Sequence, residues 1–344
     1  MNEAASDNSN VRVSETHPDD PVSQGPEPEE EADDPPPPTP TWARRRRRAP
    51  NQWRGNCLFR LLIVLLIVLL LITHIASLGS SYAAGPGIPP QRNHAAGRSG
   101  NNYAALLQRR LSGSAANAHA KVALTDLSVS GATLLNLLSE PQDTGLEVFA
   151  PQVRGVPAAA DLVLVLGGGN DIDYIGGLMR DAMELPADLF EGVSMMSGQL
   201  DTADALARRY GRVLDAVHAA APGATVLVVE YLALLGRDFV PGVHAPFDEA
   251  RARYHRERAA LLNNGTRAAR AGREDWCHVV WVFDRTQDHG IGAAEPWVTD
   301  YLGVSDGTHV PYHPNAAGMK GVEAIIYKNL VELGLVDDDG DGEL

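Results

Sequence analysis

The sequence predicts an α/β domain in which helices cover both faces of a parallel sheet. Short apolar runs rich in β-branched residues are typical of its buried strands: Ile75–Gly79, Val122–Leu127, Leu162–Leu166, Thr225–Glu230 and Val279–Phe283. Stretches with helical periodicity accompany these runs: Tyr103–Leu111, Leu134–Leu138, Ala203–Ala220, Ala250–Ala271 and Ala317–Leu333. Strands that alternate with helices along the chain indicate a parallel sheet covered on both faces.

Composition separates this folded region from two polar tails. Residues 1–42 are rich in acidic residues and proline and have almost no large apolar side chains. Such a segment buries too little apolar surface to offset the entropy of ordering, so we predict that it is disordered. Together with the basic block Arg44–Arg48, it forms a tail over residues 1–56. The folded domain is predicted over residues 75–333, and an acidic C-terminal tail over residues 334–344.

Residues 57–74 are predicted to form a membrane anchor, because they contain the apolar run from Leu61 to Ile72. The run is shorter than the roughly 20 residues that a spanning helix needs, and the first predicted strand begins soon after it, at Ile75. Positive charge before an apolar segment favours the cytosolic side. We therefore predict a single-pass type II membrane protein whose folded domain is lumenal or extracellular. A signal-like apolar region, or a wrongly assigned chain start, would produce the same pattern.

Charge and cysteine content exclude two classes of protein. The formal net charge is −15, and the folded region has no obvious basic face, which argues against nucleic-acid binding. The two cysteines, Cys57 and Cys277, are too few for a disulfide framework.

Three short polar motifs follow predicted strands. They contain Ser81 after the first strand, Gly131 after the second and Asn170 after the third. The carboxyl ends of parallel strands lie at one edge of a sheet, where such sheets bind ligands. The three residues are therefore predicted to converge on one site.

A fourth motif, at residues 305–318, has two histidines ahead of the last predicted helix. Asp306 and His309 are three residues apart, a spacing that lets the carboxylate reach the imidazole within one turn. His313 is followed by a proline, which fits the first turn of a helix. Either histidine could act as a base for a serine hydroxyl.

In this order, the four motifs resemble the sequence blocks of the SGNH (GDSL-type) hydrolases, which are esterases and lipases. The resemblance covers roughly residues 75 to 330. It implies a flavodoxin-like three-layer fold with a five-stranded parallel sheet in the order 2-1-3-4-5. No metal or organic cofactor is implied. The family usually has Gly-Asp-Ser where this chain has Gly79-Ser80-Ser81, so Ser80 replaces an aspartate that helps to shape the turn.

The resemblance implies that Ser81 is a nucleophile, which attacks an ester once a base has removed its proton. The backbone N–H of Ser81, together with Gly131 and Asn170, would form the oxyanion hole, because charge developing on the carbonyl oxygen needs preorganised donors. Each motif also has a simpler interpretation: a serine- and glycine-rich linker around Ser81, a strand-to-helix turn at Gly131 and an Asn-Asp turn at Asn170.

The catalytic base could be either of the two histidines, His309 or His313. The family normally merges acid and base in one Asp-x-x-His-Pro motif, whereas this chain separates the two features. We favour His313, which precedes the proline, with Asp306 as the orienting acid. Some family members orient the histidine through a backbone carbonyl, a role that Val310 would have here. The alternative is an ordinary Asp306–His309 pair.

The predicted function is that of a serine esterase or lipase, which cleaves carboxylic esters through an acyl-enzyme. The predicted partners are a membrane and a small-molecule, lipid or glycan ester. One rival is a catalytically inactive domain of the same fold that binds lipid or glycan, suggested by the altered Gly-Ser-Ser and the separated histidine motif. Another is a membrane-tethered adaptor that works through the acidic, proline-rich tail.

Overall fold

Five parallel strands form the central sheet of the computed structural model, which describes residues 72–113, 121–183, 200, 202–302 and 310–339. In chain order, the strands of these ranges are β1 (His74–Gly79), β2 (Gln91–Asn93), β3 (Arg98–Ser99), β4 (Ala123–Asp126), β5 (Gln142–Asp143), β6 (Val148–Phe149), β7 (Leu162–Leu166), β8 (Thr225–Val229) and β9 (Cys277–Val280). The order across the sheet is β4-β1-β7-β8-β9, and each neighbouring pair is parallel. The prediction of an α/β fold with a five-stranded parallel sheet is confirmed. β2–β3 and β5–β6 form separate antiparallel pairs.

Several helices of the described ranges begin at residues with capping side chains. The helices are α1 (Ser81–Ala84), α2 (Tyr103–Gly113), α3 (Leu134–Leu138), α4 (Tyr174–Met183), α5 (Ala203–Ala220), α6 (Glu249–Ala268), α7 (Val282–Arg285) and α8 (Ala316–Glu332). The side chains of Thr133, Thr202, Asp248 and Asn315 each accept a hydrogen bond from a backbone N–H of the following turn. Such caps satisfy donors that a helix start leaves unpaired. Three of these helices, α1, α4 and α7, were not predicted from the sequence.

Helices lie on both faces of the sheet. The chain passes from β1 to β4 through α2 in one direction, and from β7 to β8 and β9 through α5 and α6 in the other. Because crossovers between parallel strands are right-handed, opposite directions place the two sets of helices on opposite faces. α5 packs against α6, and α2 packs against α8. All five residues of β7 are buried, as expected for a strand covered on both sides.

The carboxyl edge of the sheet contains the switch point of this topology. β1 lies between β4 and β7, and the chain leaves β1 and β7 in opposite directions. At such a point the loops after the two strands diverge and leave a crevice between them. Ser80 follows β1 and Gly167 follows β7, so both residues border the crevice.

The last strand ends earlier than the sequence predicts. The prediction extends it to Phe283, whereas β9 ends at Val280 and α7 begins at Val282. The Glu230 carboxylate accepts a hydrogen bond from the Phe283 N–H at 3.1 Å, which holds the chain in this helical turn. A short apolar run does not distinguish a strand from a buried helical turn by periodicity.

The structure corrects the predicted membrane anchor. Among the residues that the structure describes, no helix is long and apolar enough to cross a membrane. Ile72, the last residue of the apolar run, is buried in the core, and β1 begins two residues later. A side chain packed in the core of a folded domain does not face lipid. The prediction of a single-pass type II membrane protein is therefore wrong, and the predicted membrane partner is not supported. Residues 57–71 of that segment, like the predicted tail over residues 1–56, lie outside the described residues.

Candidate active site

Ser81 lies on a tight turn at the carboxyl end of β1. It is the first residue of α1, and the N–H of Ser80 before it donates to the carbonyl of Leu166 at 3.1 Å. A Cβ on Gly79 would lie 2.4 Å from that same oxygen, so glycine is needed for the turn to approach β7 this closely. The Ser81 side chain is buried but borders a cavity.

Gln152 supports the same turn. Its Oε1 accepts from the Gly79 N–H at 2.7 Å, and its Nε2 donates to the Gly79 carbonyl at 3.0 Å. Gln152 is buried, and hydrogen bonds are stronger in such a low-dielectric environment than in water. The amide therefore fixes the last residue of β1, two positions before Ser81.

His313 is hydrogen-bonded to Ser81. Its Nε2 lies 2.9 Å from the Ser81 Oγ, and its Nδ1 lies 2.7 Å from the carbonyl oxygen of Pro311. A carbonyl oxygen can only accept, so the Nδ1 carries the proton and donates it to Pro311. Nε2 is then the acceptor, and the Ser81 hydroxyl donates to it.

The environment of His313 keeps the imidazole neutral. Burial lowers the pKa of His313 to about 4, and the hydrogen bond with Pro311 opposes that shift. At neutral pH the ring is therefore unprotonated at Nε2. This is the form that can take a proton from a hydroxyl.

The segment that carries His313 is fixed by two other residues. The Thr299 N–H donates to the His313 carbonyl at 2.9 Å, and the Tyr82 hydroxyl donates to the Tyr312 carbonyl at 2.5 Å. Tyr312 has a φ of 58°, in the left-handed region that non-glycine residues seldom adopt. Its side chain is fully buried, so packing maintains this conformation.

The carbonyl that orients His313 differs from the prediction. The predicted acceptor is the Val310 carbonyl, whereas the structure has the Pro311 carbonyl in this place. The Val310 carbonyl accepts instead from the Thr299 hydroxyl and from the backbone N–H of His313. The left-handed turn at Tyr312 brings the ring of His313 back to the carbonyl two residues before it.

Ser81, Gly131, Asn170 and His313 line a single cavity of about 560 Å³. Gly131 has a φ of 82°, which glycine adopts without strain. The Nδ2 of Asn170 donates to the Ala132 carbonyl at 2.8 Å. An amide nitrogen has two hydrogens, so one remains for a ligand in the cavity. The structure thus brings together four of the residues that the sequence analysis places in the site.

Asp171 links the two loops that carry Gly131 and Asn170. Its Oδ2 accepts from the Leu134 N–H at 2.8 Å, and its Oδ1 accepts from Arg209 at 3.1 Å. Burial raises the pKa of Asp171 above its usual value, and these two hydrogen bonds offset part of that rise. The carboxylate follows Asn170 in the chain and bonds the first residue of α3, so it couples the positions of the two loops.

Further parts of the described cavity wall come from α3 and α4, from the residue just before each helix, and from the loop around β5. Asp173 and Arg180 form an ion pair there, beside the apolar side chains of Ile175 and Met179. Gln142 donates to the Ser130 carbonyl at 2.8 Å on the other side. The wall therefore combines charged, amide and apolar groups.

Asp306 and His309 lie outside the residues that the structure describes. No group of three or more His, Cys, Asp or Glu side chains in the described ranges is arranged to hold a metal ion.

Three further residues hold the site together and were not predicted from the sequence. Gln152 and Tyr231 stand far from Ser81 in the chain, with no motif around them, and nothing local signals their contacts. Tyr82 directly follows Ser81, and this adjacency is the only signal that could have identified it. The Tyr82 ring packs against the Tyr231 ring at a tilt of 40°, with ring centroids 4.5 Å apart, and lies 5.4 Å from the His313 ring.

Comparisons with known proteins identify the family and the fold. The model of the GDSL-like Lipase/Acylhydrolase family matches residues 77–320. An extracellular lipase from Streptomyces rimosus has a similar structure, with a TM-score of 0.54 and 20% identity over 74% of this chain and 99% of the lipase. A phospholipase A1 from Streptomyces albidoflavus has a TM-score of 0.56 and 20% identity over 75% of this chain and 99% of its own. At these identities the likeness shows the fold. No curated protein sequence is similar enough to this chain to count as a match.

Proposed function

Because the chain belongs to the GDSL-like lipase/acylhydrolase family, whose members hydrolyse esters, we propose that it cleaves carboxylic esters through an acyl-enzyme on Ser81. The observation that carries this proposal is the hydrogen bond between Ser81 and His313. At 2.9 Å, and with Nδ1 held by the Pro311 carbonyl, the imidazole is already in the tautomer that a general base needs.

Acylation begins when the Ser81 Oγ attacks the ester carbonyl carbon. His313 Nε2 takes the hydroxyl proton as the new C–O bond forms, and the carbonyl oxygen becomes an oxyanion. His313 then gives that proton to the departing alkoxide, which leaves as an alcohol, and the acyl group stays on Ser81. In the second half of the reaction His313 takes a proton from water while the water oxygen attacks the acyl carbon. His313 then returns the proton to the Ser81 Oγ as the carboxylic acid leaves.

Three donors would stabilise the oxyanion: the backbone N–H groups of Ser81 and Gly131 and the side-chain amide of Asn170. Their support is that all three residues border one cavity together with His313. Preorganised donors of this kind usually provide a large share of the rate enhancement, because they need no reorganisation as charge develops.

The Pro311 carbonyl orients His313 in this proposal. The roles of Asp306 as an acid and of His309 as an alternative base stay predictions from the sequence. A carbonyl dipole stabilises the imidazolium that forms during the reaction less than a carboxylate would. A base with a depressed pKa and a dipolar partner is consistent with a dyad rather than a triad.

A fluorophosphonate probe tests the proposal, because it reacts covalently with an activated serine and not with an ordinary one. We expect the wild-type protein to be labelled and to hydrolyse p-nitrophenyl acetate, and Ser81→Ala to do neither. Ser130→Ala, which changes another serine of the same cavity wall, should still be labelled. Folded wild-type protein without labelling or hydrolysis would favour an inactive domain that binds lipid or glycan. If the wild-type protein is labelled and active, a series of p-nitrophenyl esters of increasing acyl length would define the acyl chain that it prefers.

A further inference from the structure

The phenol of Tyr231 lies between two of the loops that form the site. Tyr231 comes two residues after β8 and is 2% exposed. Its hydroxyl is 2.8 Å from the Ser80 Oγ and accepts a hydrogen bond from the Gly169 N–H at 3.2 Å. Ser80 is the neighbour of the nucleophile Ser81, and Gly169 is the neighbour of Asn170. One buried oxygen atom thus joins both loops.

The hydrogen-bond geometry fits the capacity of a phenol. A tyrosine hydroxyl donates one hydrogen and accepts up to two. The Tyr231 oxygen accepts one hydrogen bond from the Gly169 N–H. It can still donate its own hydrogen to the Ser80 Oγ, or accept a second hydrogen bond from the Ser80 hydroxyl. Burial raises the pKa of Tyr231 to about 12, so the phenol stays protonated.

The close approach of the Tyr231 hydroxyl to the Asn170 loop requires a glycine at position 169. A Cβ at Gly169 would lie 2.7 Å from the Tyr231 hydroxyl oxygen, closer than side-chain carbons come in folded proteins. The glycine therefore permits the phenol to reach the loop. Side chains on either side also pack the ring: Tyr82 lies 4.5 Å away between centroids, and Tyr174 lies 6.5 Å away edge-on.

Ser80 is also the position at which this chain departs from the Gly-Asp-Ser that is usual in its family. In place of an aspartate it has a hydroxyl that is fully buried and bonded to Tyr231. A small neutral group suits a phenol partner in a buried site, since taking a carboxylate out of water costs more free energy than burying a hydroxyl.

We propose that Tyr231 is a positioning residue, which holds the Ser81 turn and the Asn170 loop at the separation that the reaction requires. The inference rests on the proposed function of Ser81 and Asn170. Without the phenol oxygen, Ser80 and the Gly169 N–H lose a buried partner, and the two loops can shift independently. A shift well below the width of an atom is enough to weaken an oxyanion contact.

The test is a double-mutant cycle between Tyr231→Phe and Asn170→Ala, measured as kcat and KM with p-nitrophenyl acetate. Tyr231→Phe keeps the ring and removes the oxygen. We expect it to lower kcat about tenfold with KM nearly unchanged, because alignment matters most in the transition state. In the Asn170→Ala background, the same change should lower kcat about twofold or less, because the donor that it positions is absent.

Tyr210→Phe is the matched control. The Tyr210 hydroxyl is also fully buried and donates to a backbone carbonyl, that of Val165, at 3.1 Å. Its loss should lower the melting temperature about as much as Tyr231→Phe does, without lowering kcat. If Tyr231→Phe does not fold, Ser80→Ala removes the same link from its other end and should show the same dependence on Asn170.

Two results would overturn the inference: an unchanged kcat in Tyr231→Phe, or an equal loss with and without the Asn170 side chain. Either result leaves the proposed function intact if Ser81→Ala, measured in parallel, is inactive. Residual turnover in Ser81→Ala at the wild-type level would instead refute the proposed function.

Discussion

His313 Nε2 lies 2.9 Å from the Ser81 Oγ, although 232 residues separate them in the chain. β1 delivers Ser81 to the carboxyl edge of the sheet, and the segment before α8 returns His313 to the same edge. The second ring nitrogen of His313 donates to Pro311, so the orientation of the ring is defined from within its own loop. This relationship carries the predictions below.

Replacing His313 should cost nearly as much activity as replacing Ser81. The two residues act as a unit, so the loss of either removes the same proton transfer, and their losses do not add. We expect kcat/KM of His313→Ala with p-nitrophenyl acetate to fall by about three orders of magnitude or more, and Ser81→Ala/His313→Ala to be no worse. His309→Ala is the control and should be much milder. Comparable activity in His313→Ala and wild type, with His309→Ala inactive, would assign the base to His309.

The pH dependence should show a base that titrates below the usual range of histidine. Burial lowers the pKa of His313 to about 4 from 6.5, so kcat/KM should stay high as pH falls through 6 and reach half its plateau near pH 4. Between pH 6.5 and 4 the unfolded chain binds a proton that folded His313 does not, so this residue also lowers stability as pH falls through that window. Circular dichroism at each pH would separate unfolding from titration. An acidic midpoint near 6.5 in folded protein would contradict the prediction.

Asn170→Ala should keep the fold and lower kcat by about two orders of magnitude, with a smaller effect on KM, because the amide acts mainly in the transition state. The fold should persist because, within the described ranges, the Asn170 side chain makes one hydrogen bond, to Ala132, at the edge of the cavity. Steady-state kinetics with thermal unfolding as a control would measure both effects. An unchanged kcat would remove Asn170 from the oxyanion hole.

Gly79→Ala should damage both stability and activity. The added Cβ would lie 2.4 Å from the Leu166 carbonyl oxygen and 2.7 Å from the Cβ of Ala83, so β1, β7 or the Ser81 turn must move. Overpacking of this kind costs about 1–3 kcal/mol of unfolding free energy, which urea titration can measure. Gly223→Ala, where a Cβ meets nothing within 4 Å, is the matched control and should be close to neutral. Wild-type stability and labelling rate in Gly79→Ala would show that the turn tolerates a side chain.

Local patterns predicted much of the fold. The apolar runs at β1, β4, β7 and β8 have the correct places to within one or two residues. The run at β7 is continuous because a strand covered on both faces is buried along its whole length. The same signal misplaced the end of β9, where a contact with Glu230 turns the chain into α7. It also misled the prediction of a membrane anchor, because the same residue types suit lipid and a protein core, and Ile72 at the end of the apolar run is buried in the core.

By itself, the sequence determined the α/β class and the convergence of Ser81, Gly131 and Asn170 on one edge of the sheet. Both follow from residue patterns over a few positions and from the rule that parallel strands end together. Only the tertiary structure decided that Pro311 rather than Val310 orients His313, and that Tyr231 lies against the loops of the site. The first depends on the backbone torsion at Tyr312, and the second on packing between strands far apart in the chain. Neither a left-handed torsion at a tyrosine nor a contact across the sheet has a local sequence signal.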